Sequence, residues 1–349
     1  NMTKTRLLYI VNPISGTNRK RDFAAIADAY TDKNRFDFQT VYTERAGHAS
    51  ELARQAAAEG IDIVAAVGGD GTVNEIAASL VQTPTALAIV PSGSGNGLAR
   101  HLQLPMDMPR AIEVINKAEI HALDYGTLNG HPFFCTCGLG FDALISLKFA
   151  EAGRRGPMAY AENMIKEGFK YKPERYIIKY KSADGEGDDI LEQEAFVVAC
   201  ANASQYGNNA YIAPHASMKD GLLDIVVIEP FPPLEGAQVC LQLFNGTLEK
   251  NQHVKTFQTN ALHITRPSEG AVHCDGDPFI TSSEIDIRIV PQQLRVVVNP
   301  FAKKVRQCNL QQSIPEWFKE LTTLPPTLQM KTDNLLQLNR NLLEKLRKN

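Results

Sequence analysis

The stretch Asp62-Ile63-Val64-Ala65-Ala66-Val67-Gly68-Gly69-Asp70-Gly71-Thr72-Val73-Asn74-Glu75-Ile76 decides the fold. Its first half is a short, almost wholly apolar run, as expected of a strand buried on both faces. Its second half carries Val73, Ile76, Ala77 and Leu80, whose spacing of three, four and seven predicts an amphipathic helix. A glycine-rich turn joins the two. The same unit repeats outward from this point. Thr85–Val90 reads as a strand and Ser94–Leu102 as a helix; upstream, Arg6–Val11 and Phe36–Tyr42 read as strands, with helices at Arg19–Thr31 and Gly47–Glu59. Such alternation predicts a doubly wound parallel sheet with helices on both faces, whose ligands gather at the carboxyl ends of the strands.

The pattern changes after Asp124. Asn129-Gly130 between apolar runs signals a hairpin. Strands are expected at Arg175–Lys181, Ile190–Ala199, Leu222–Glu229, Leu262–Arg266, Glu284–Ile289 and Leu294–Val298, with a turn at Asp184-Gly185-Glu186-Gly187. Strands without alternating helices predict an antiparallel β-sandwich. One helical interruption is expected from Asp142 to Lys170, and an apolar stripe from Leu335 to Leu346 predicts a helical tail. The fold class is therefore α/β plus all-β: a doubly wound α/β domain over 1–125, rejoined by the chain after about 300, a β-sandwich domain over 126–300, and a helical tail over 301–349.

Composition narrows the function. A net charge of −3 provides no basic field for nucleic acid. No apolar run approaches the ~20 residues of a spanning helix, and the start of the chain has no charged-then-apolar leader, so a cytoplasmic protein is expected. Asn1 before Met2 reads as an expression scar. Cys135, Cys137, Cys200, Cys240, Cys274 and Cys308 form no Cys-x-x-Cys pair, which favours reduced thiols over a zinc site.

Three glycine-rich turns follow successive strands: Asn12-Pro13-Ile14-Ser15-Gly16, Gly68-Gly69-Asp70-Gly71-Thr72, and Pro91-Ser92-Gly93-Ser94-Gly95-Asn96-Gly97. One such turn is commonly just a tight connection. Three in one sheet point to phosphate binding, because a Cβ would block the approach of backbone N–H groups and a helix start adds its positive end. A carboxylate in such a loop, Asp70, would repel bare phosphate, which suggests an intervening divalent cation. No Gly-x-x-x-x-Gly-Lys-Ser/Thr run is present, and no Gly-x-Gly-x-x-Gly with an acidic ribose partner, so Walker-type and dehydrogenase sites are disfavoured.

These motifs resemble the diacylglycerol kinase catalytic family, which includes bacterial lipid kinases, sphingosine kinases and ceramide kinase. The resemblance continues through Asp124-Tyr125-Gly126, Gly138-Leu139-Gly140-Phe141-Asp142-Ala143, Asp220-Gly221-Leu222-Leu223-Asp224 and Asp275-Gly276-Asp277, in order over about residues 5 to 300. It implies ATP and Mg2+ as cofactors. Asn12, Pro13, Ser15 and Gly16 would line the nucleotide phosphates, and Thr43 the base or ribose. Gly69, Asp70, Gly71, Thr72, Asn74 and Glu75 would cradle phosphates, with Asp70 reaching magnesium; Ser94 and Asn96 belong to the third loop that completes the pocket. Asp275 and Asp277 would form the catalytic pair, one accepting the lipid hydroxyl proton, and Asp124 would help organise it. The family usually has Asp-Gly-Glu where this chain ends in Asp277. Locally, Asp275-Gly276-Asp277 also reads as a type I′ hairpin turn. A structural magnesium would take Asp220 with the carbonyls of Ser217 and Leu222; the alternative is an ordinary Asp-Gly turn.

The implied substrate is a membrane-derived lipid met at a membrane surface, with the enzyme peripheral to it. Gly93-Ser94-Gly95-Asn96-Gly97 looks more like sphingosine kinases than the Gly-Thr-x-Asn-Asp of bacterial diacylglycerol kinases. Yet Ser146 stands where sphingosine kinases place their amine-binding aspartate, so a neutral diacylglycerol-like lipid and a long-chain base both stay open. Phe141, Leu144, Ile145, Leu147, Phe149, Met158, Tyr160 and Met164 line either an acyl-chain groove or a helical core, and Arg154, Arg155, Lys166, Lys170 and Lys172 either an anionic-headgroup contact or a solvated face. A homodimer stays open. The alternatives are an NAD kinase-like soluble kinase, whose expected third-loop pattern is missing, and a non-catalytic nucleotide- or lipid-binding sensor, against which intact Asp70, Asp275 and Asp277 argue.

Overall fold

Every residue of the strand Ile63–Gly68, and of its neighbour Ala86–Pro91, is buried, because helices cover both faces of the sheet they form. The structure is a computed structural model that describes residues 3–14, 22–152, 168, 170–182, 187–232 and 235–302. Nearly all of the expected tail, residues 184–186 of the expected turn and most of the expected helix beyond residue 152 lie outside these residues.

The first part of the chain runs β1 (Thr5–Val11), α1 (Phe23–Tyr30), β2 (Phe36–Tyr42), α2 (His48–Ala58), β3 (Ile63–Gly68), α3 (Asp70–Leu80), β4 (Ala86–Pro91), α4 (Gly97–His101) and α5 (Met108–Lys117). The strands stand in the order β2-β1-β3-β4, all parallel. Helix α5 was not foreseen, although Asp107 caps it by accepting from the Arg110 N–H and Pro109 sits in its first turn.

The chain then builds β5 (Ile120–Leu128), β6 (His131–Phe133), β7 (Thr136–Gly140), α6 (Phe141–Ala152), β8 (Glu174–Lys181), β9 (Asp188–Ala195), β10 (Val197–Ala201), β11 (Leu223–Ile228), α7 (Gly236–Asn245), β12 (Val254–Thr259), β13 (Ala261–Thr265), β14 (Gly270–Cys274), β15 (Asp277–Thr281) and β16 (Glu284–Val297). One antiparallel sheet has the order β12-β11-β10-β7-β14-β15. The other, β16-β13-β8-β9, faces it, with β5 pairing along β16 and β6 along β5. Leu139, Val198, Ile225 and Val272 from the first meet Tyr176, Ile178, Ile264 and Ile287 from the second in one core. That is the expected sandwich.

Two strand assignments need correction. Ile190–Ala199 is not one strand. The chain changes sheets at Phe196, whose N–H donates to Ile228 O and whose ring stacks on Phe141 at 4.5 Å. Conversely, Glu284–Ile289 and Leu294–Val298 belong to one strand, β16, interrupted by a bulge where Gln292 takes φ 53°. The lower half of β16 pairs antiparallel with β13, while Val296 pairs in parallel with Leu87 of β4. This single strand carries the sandwich sheet into the parallel sheet, so ten strands are continuous.

Ile287 lies in the middle of β16 and is 1% exposed. Ile287→Ala is expected to cost about 2–5 kcal/mol in chemical denaturation. A loss well under ~1 kcal/mol would show that the sandwich core does not depend on this strand.

Candidate functional site

The three glycine-rich loops meet at the carboxyl ends of β1, β3 and β4. Asn12 joins the first to the second: its Nδ2 donates to Thr72 Oγ1 at 3.0 Å, and its Oδ1 accepts from the Ile14 N–H. Pro13 is exposed at the turn, and Ser15 and Gly16 lie outside the described residues. Thr43 is buried beside the end of β1, where its N–H donates to Val11 O. Glu75 accepts from the Gly47 N–H at 3.4 Å, which brings the 43–47 turn onto α3. Asn74 is half-buried one residue away.

Asp70 clasps the second loop to the third. Its Oδ2 accepts from the Asn96 N–H at 2.8 Å and its Oδ1 from the Gly97 N–H at 2.7 Å. The glycines serve this clasp. A Cβ on Gly93 would lie 2.5 Å from the Gly69 Cα, and one on Gly95 would lie 2.5 Å from Asp70 Oδ2. Loop-on-loop packing is therefore a direct reason for glycine at 69, 93 and 95. Gly71 differs, with open space around its would-be Cβ. It lies in the first turn of α3, where N–H groups have no partner within the helix. Asn96, at φ 51°, fixes the third loop by accepting from the Gly93 N–H and donating to Gly93 O, and Ser94 is exposed at its tip.

The Asp275-Gly276-Asp277 segment is a two-residue turn between β14 and β15, with φ 52° at Asp275 and 87° at Gly276, the I′ geometry read locally from sequence. Its two carboxylates are not equivalent. Asp275 accepts from the N–H groups of Phe134, Cys135 and Thr136 at 2.8, 2.7 and 3.0 Å. Burial pushes its pKa up to about 6, against the pull of these N–H groups. Among the described residues, no hydrogen-bond partner holds the Asp277 carboxylate, which sits on an exposed residue. Desolvation raises its pKa first, followed by repulsion from Glu75 and Asp70. This electrostatic coupling links positions 70 and 75 to 277, from opposite parts of the chain.

Asp124 is fully buried and its carboxylate is engaged by main chain: Oδ2 accepts from Gly221 N–H and Oδ1 from Gln292 N–H, each at 2.8 Å. It thus pins the 217–222 turn to the bulge in β16. Asn202, a buried residue that sequence reasoning missed, links Asp124 to the acidic turn. Its Nδ2 donates to Asp124 O and to Phe134 O, and the Phe134 N–H holds Asp275. A lone amide in the apolar run Ala199–Ala203 was the available signal.

The residues fit magnesium chemistry in two places. Repulsion among Asp277, Glu75 and Asp70 creates a negative field that a divalent cation would relieve. Each Asp70 oxygen keeps a second lone pair beyond its N–H bond. In the 217–222 turn, Asp220 is exposed, accepts from Leu222 N–H at 3.1 Å, and has its pKa raised chiefly by desolvation. One carboxylate with the carbonyls of Ser217 and Leu222, the set the resemblance implies, would suit a hard cation. Among the described residues, no three His, Cys, Asp or Glu side chains cluster closely enough to hold a metal by themselves, so either ion would rely on carbonyls, phosphate or water.

The fold and loops define a two-part α/β and β-sandwich protein in which Asp277 lies in the field of Asp70 and Glu75. Residues 6–128 match the family described as the diacylglycerol kinase catalytic domain, and residues 136–298 match the YegS C-terminal NAD kinase beta sandwich-like domain. A Chromohalobacter salexigens protein named "Probable lipid kinase YegS-like" is 31% identical, over 68% of this chain and 76% of the relative. The Bacillus subtilis protein named diacylglycerol kinase is 26% identical, over 79% of this chain and 90% of its own. The crystal structure of a diacylglycerol kinase from Bacillus anthracis shares the fold, with a TM-score of 0.66 at 22% identity over 86% of this chain and 99% of that one. The chain belongs to the diacylglycerol kinase catalytic family of lipid kinases. Among its described residues, no helix is long and apolar enough to cross a membrane.

Asp275→Asn would turn an amide N–H2 toward N–H groups that now meet an acceptor. Removing that acceptor leaves buried donors unpaired, at about 1–3 kcal/mol. Denaturant titration should show a loss of this size; unchanged stability would mean that the three bonds do not support the turn.

Proposed function

We propose that the protein is an ATP- and magnesium-dependent lipid kinase that transfers the γ-phosphoryl group to the hydroxyl of a neutral, diacylglycerol-like lipid, with Asp277 as general base. The observation that carries this reading is the division of labour in the acidic turn. Asp275 is committed to backbone N–H groups, whereas Asp277 is exposed, without a hydrogen-bond partner among the described residues, and in the field of Asp70 and Glu75. A carboxylate whose proton affinity is raised is a better acceptor for an alcohol proton.

The rest is positioning and charge neutralisation, as phosphoryl transfer requires. The opening N–H groups of α3, at the open face of Gly71, would receive phosphate oxygens, and Asn12 and Thr72 hold the first two loops around them. Asp70 would hold magnesium, which would supply charge neutralisation for the transferring phosphoryl group. Asp124 and Asn202 act as positioning residues beneath the turn. The nucleotide is assigned to the parallel-sheet part and the lipid to the sandwich side, at a membrane surface facing the cytoplasm.

The neutral lipid is favoured by helix α6. A cationic long-chain base needs a free carboxylate for its amine. Ser146 instead donates its hydroxyl to Asp142 O at 3.0 Å, and the Asp142 carboxylate is already occupied by Ala143 N–H, the Tyr206 hydroxyl and His273. The side chain of Glu151 lies outside the described residues.

Radiolabelled ATP supplied with vesicles containing diacylglycerol should yield labelled phosphatidic acid. Asp277→Asn should lower kcat by roughly 10²–10⁴-fold at nearly constant KM for ATP, and Asp70→Ala should abolish labelling. Label in NADP instead would establish the soluble-kinase alternative; label in no acceptor would establish the sensor.

The field at Asp277 gives a second test. Because desolvation, and after it the neighbouring negative charges, raise its pKa, the acid limb of kcat/KM should lie above the ordinary aspartate range. Glu75→Gln removes one source of repulsion, so the limb should move to lower pH. A limb that stays put or moves up would remove Asp277 from the role of base.

A further inference from the structure

We infer that His273 is a positioning residue for the phosphoryl-transfer reaction, locking the base-bearing turn to helix α6 and to the third loop through one neutral imidazole. The inference rests on the kinase reading. It concerns a histidine that no family motif quoted above contains.

The ring is 2% exposed and lies two residues before the acidic turn. Its Nδ1 accepts from the Gly276 N–H at 3.2 Å, the peptide group between Asp275 and Asp277. An acceptor nitrogen carries no proton, so the ring proton sits on Nε2, which faces Asp142 Oδ2 at 3.0 Å and donates to it. Asp142 opens α6, and its other oxygen accepts from Ala143 N–H at 2.7 Å, which fixes the carboxylate on the helix start. The same Asp142 Oδ2 accepts from the Tyr206 hydroxyl at 3.1 Å.

Tyr206 extends the connection to the phosphate side. Asn208 N–H donates to Gly95 O at 3.2 Å, and a Cβ on Gly97 would approach Tyr206 O to 3.3 Å. The 206–208 segment therefore rests on the third loop, whose Asn96 and Gly97 N–H groups hold Asp70. Position 138 makes room for the cluster. A Cβ there would lie 2.2 Å from Asp142 Oδ2 and 2.7 Å from His273 Nε2, so any side chain would push this pair from its present positions.

The acidic turn is thus held on both sides. Asp275 grips residues 134–136, and His273 grips the Gly276 peptide. The ladder pairs Cys274 with Asp277, and Asp275 N–H donates to Thr136 O; the peptide N–H between these two holds, on Gly276, is met by His273. That bond limits rotation of the Asp275–Gly276 peptide and so steadies the Asp277 that follows it. A misplacement of about 1 Å can cost roughly 10²-fold in rate, which makes such a bond consequential without any contact to substrate. An inert buried histidine would satisfy its own nitrogens; this one joins the three segments that carry the base, the acceptor side and the phosphate loops.

His273→Asn and His273→Gln separate the two bonds. The Asn amide oxygen falls near the position of Nδ1 and can still accept from Gly276, while the Gln amide reaches toward Asp142 and leaves Gly276 unpaired. The Gln variant should lose roughly tenfold or more in kcat at unchanged KM for ATP, and the Asn variant should stay within about threefold of wild type. Thermal unfolding of both shows how much of each protein is folded, so kcat is compared per folded enzyme. Nitrogen-15 NMR of histidine-labelled wild type should show His273 protonated at Nε2 alone. Equal kcat in the two variants, whether equally retained or equally lost, overturns the proposal, as does a proton found on Nδ1. A wild type that labels no lipid overturns the kinase reading itself and removes any catalytic purpose for the bond, whereas an active wild type with matching variants overturns only the role of His273.

Discussion

Asp275 accepts three successive backbone N–H groups, from Phe134, Cys135 and Thr136, and the placement of the acidic turn depends on that grip. The 134–136 segment enters β7 from the short hairpin strand β6, which pairs with β5; β5 in turn lies along β16, the strand shared with the parallel sheet. Holding the β14–β15 turn against it brings residue 277 into the field of residues 70 and 75. The energetic opposition at Asp275 is plain: burial favours its neutral form, and the aligned N–H groups favour the charged form.

The same device recurs at Asp70 and Asp124. In each case a carboxylate accepts main-chain N–H groups from a distant loop: Asp70 from residues 96 and 97, Asp124 from residues 221 and 292. Charge-assisted bonds of this kind are stronger than neutral ones and tie irregular segments that no sheet ladder reaches. Only Asp277 among the acidic residues singled out for catalysis stands outside such a bond among the described residues, which is why the chemistry is assigned to it. On the proposed reading, stability and reactivity are divided between neighbouring aspartates two residues apart.

Much of this was legible in the chain. The run from Asp62 to Leu80 specified strand, turn and helix because local pattern and burial agree there, and three such units specified a parallel sheet. The Asp275-Gly276 turn was legible because positive φ at both positions strongly favours those residue types. The break at Phe196 was not, since an apolar run reads alike whether it stays in one sheet or crosses to the next. Nor was the continuity of β16: Pro291 and two glutamines look like a loop, and only pairing with β5 on both sides of the bulge makes them part of a strand.

By itself the sequence determined the class of loops, the order of elements and the presence of an acidic turn, because these follow from short-range sterics and periodicity. Tertiary structure decided what each acidic side chain does. Asp275, Asp124 and Asp70 look equally available as letters, and their partners lie from 26 to 168 residues away along the chain. It also decided why several glycines are required, at Gly93 and Gly95 through close packing of one loop on another. His273 shows the limit most clearly: a histidine between a valine and a cysteine in a strand carries no local mark, and its meaning arises only where Asp142 and Gly276 converge on its two nitrogens.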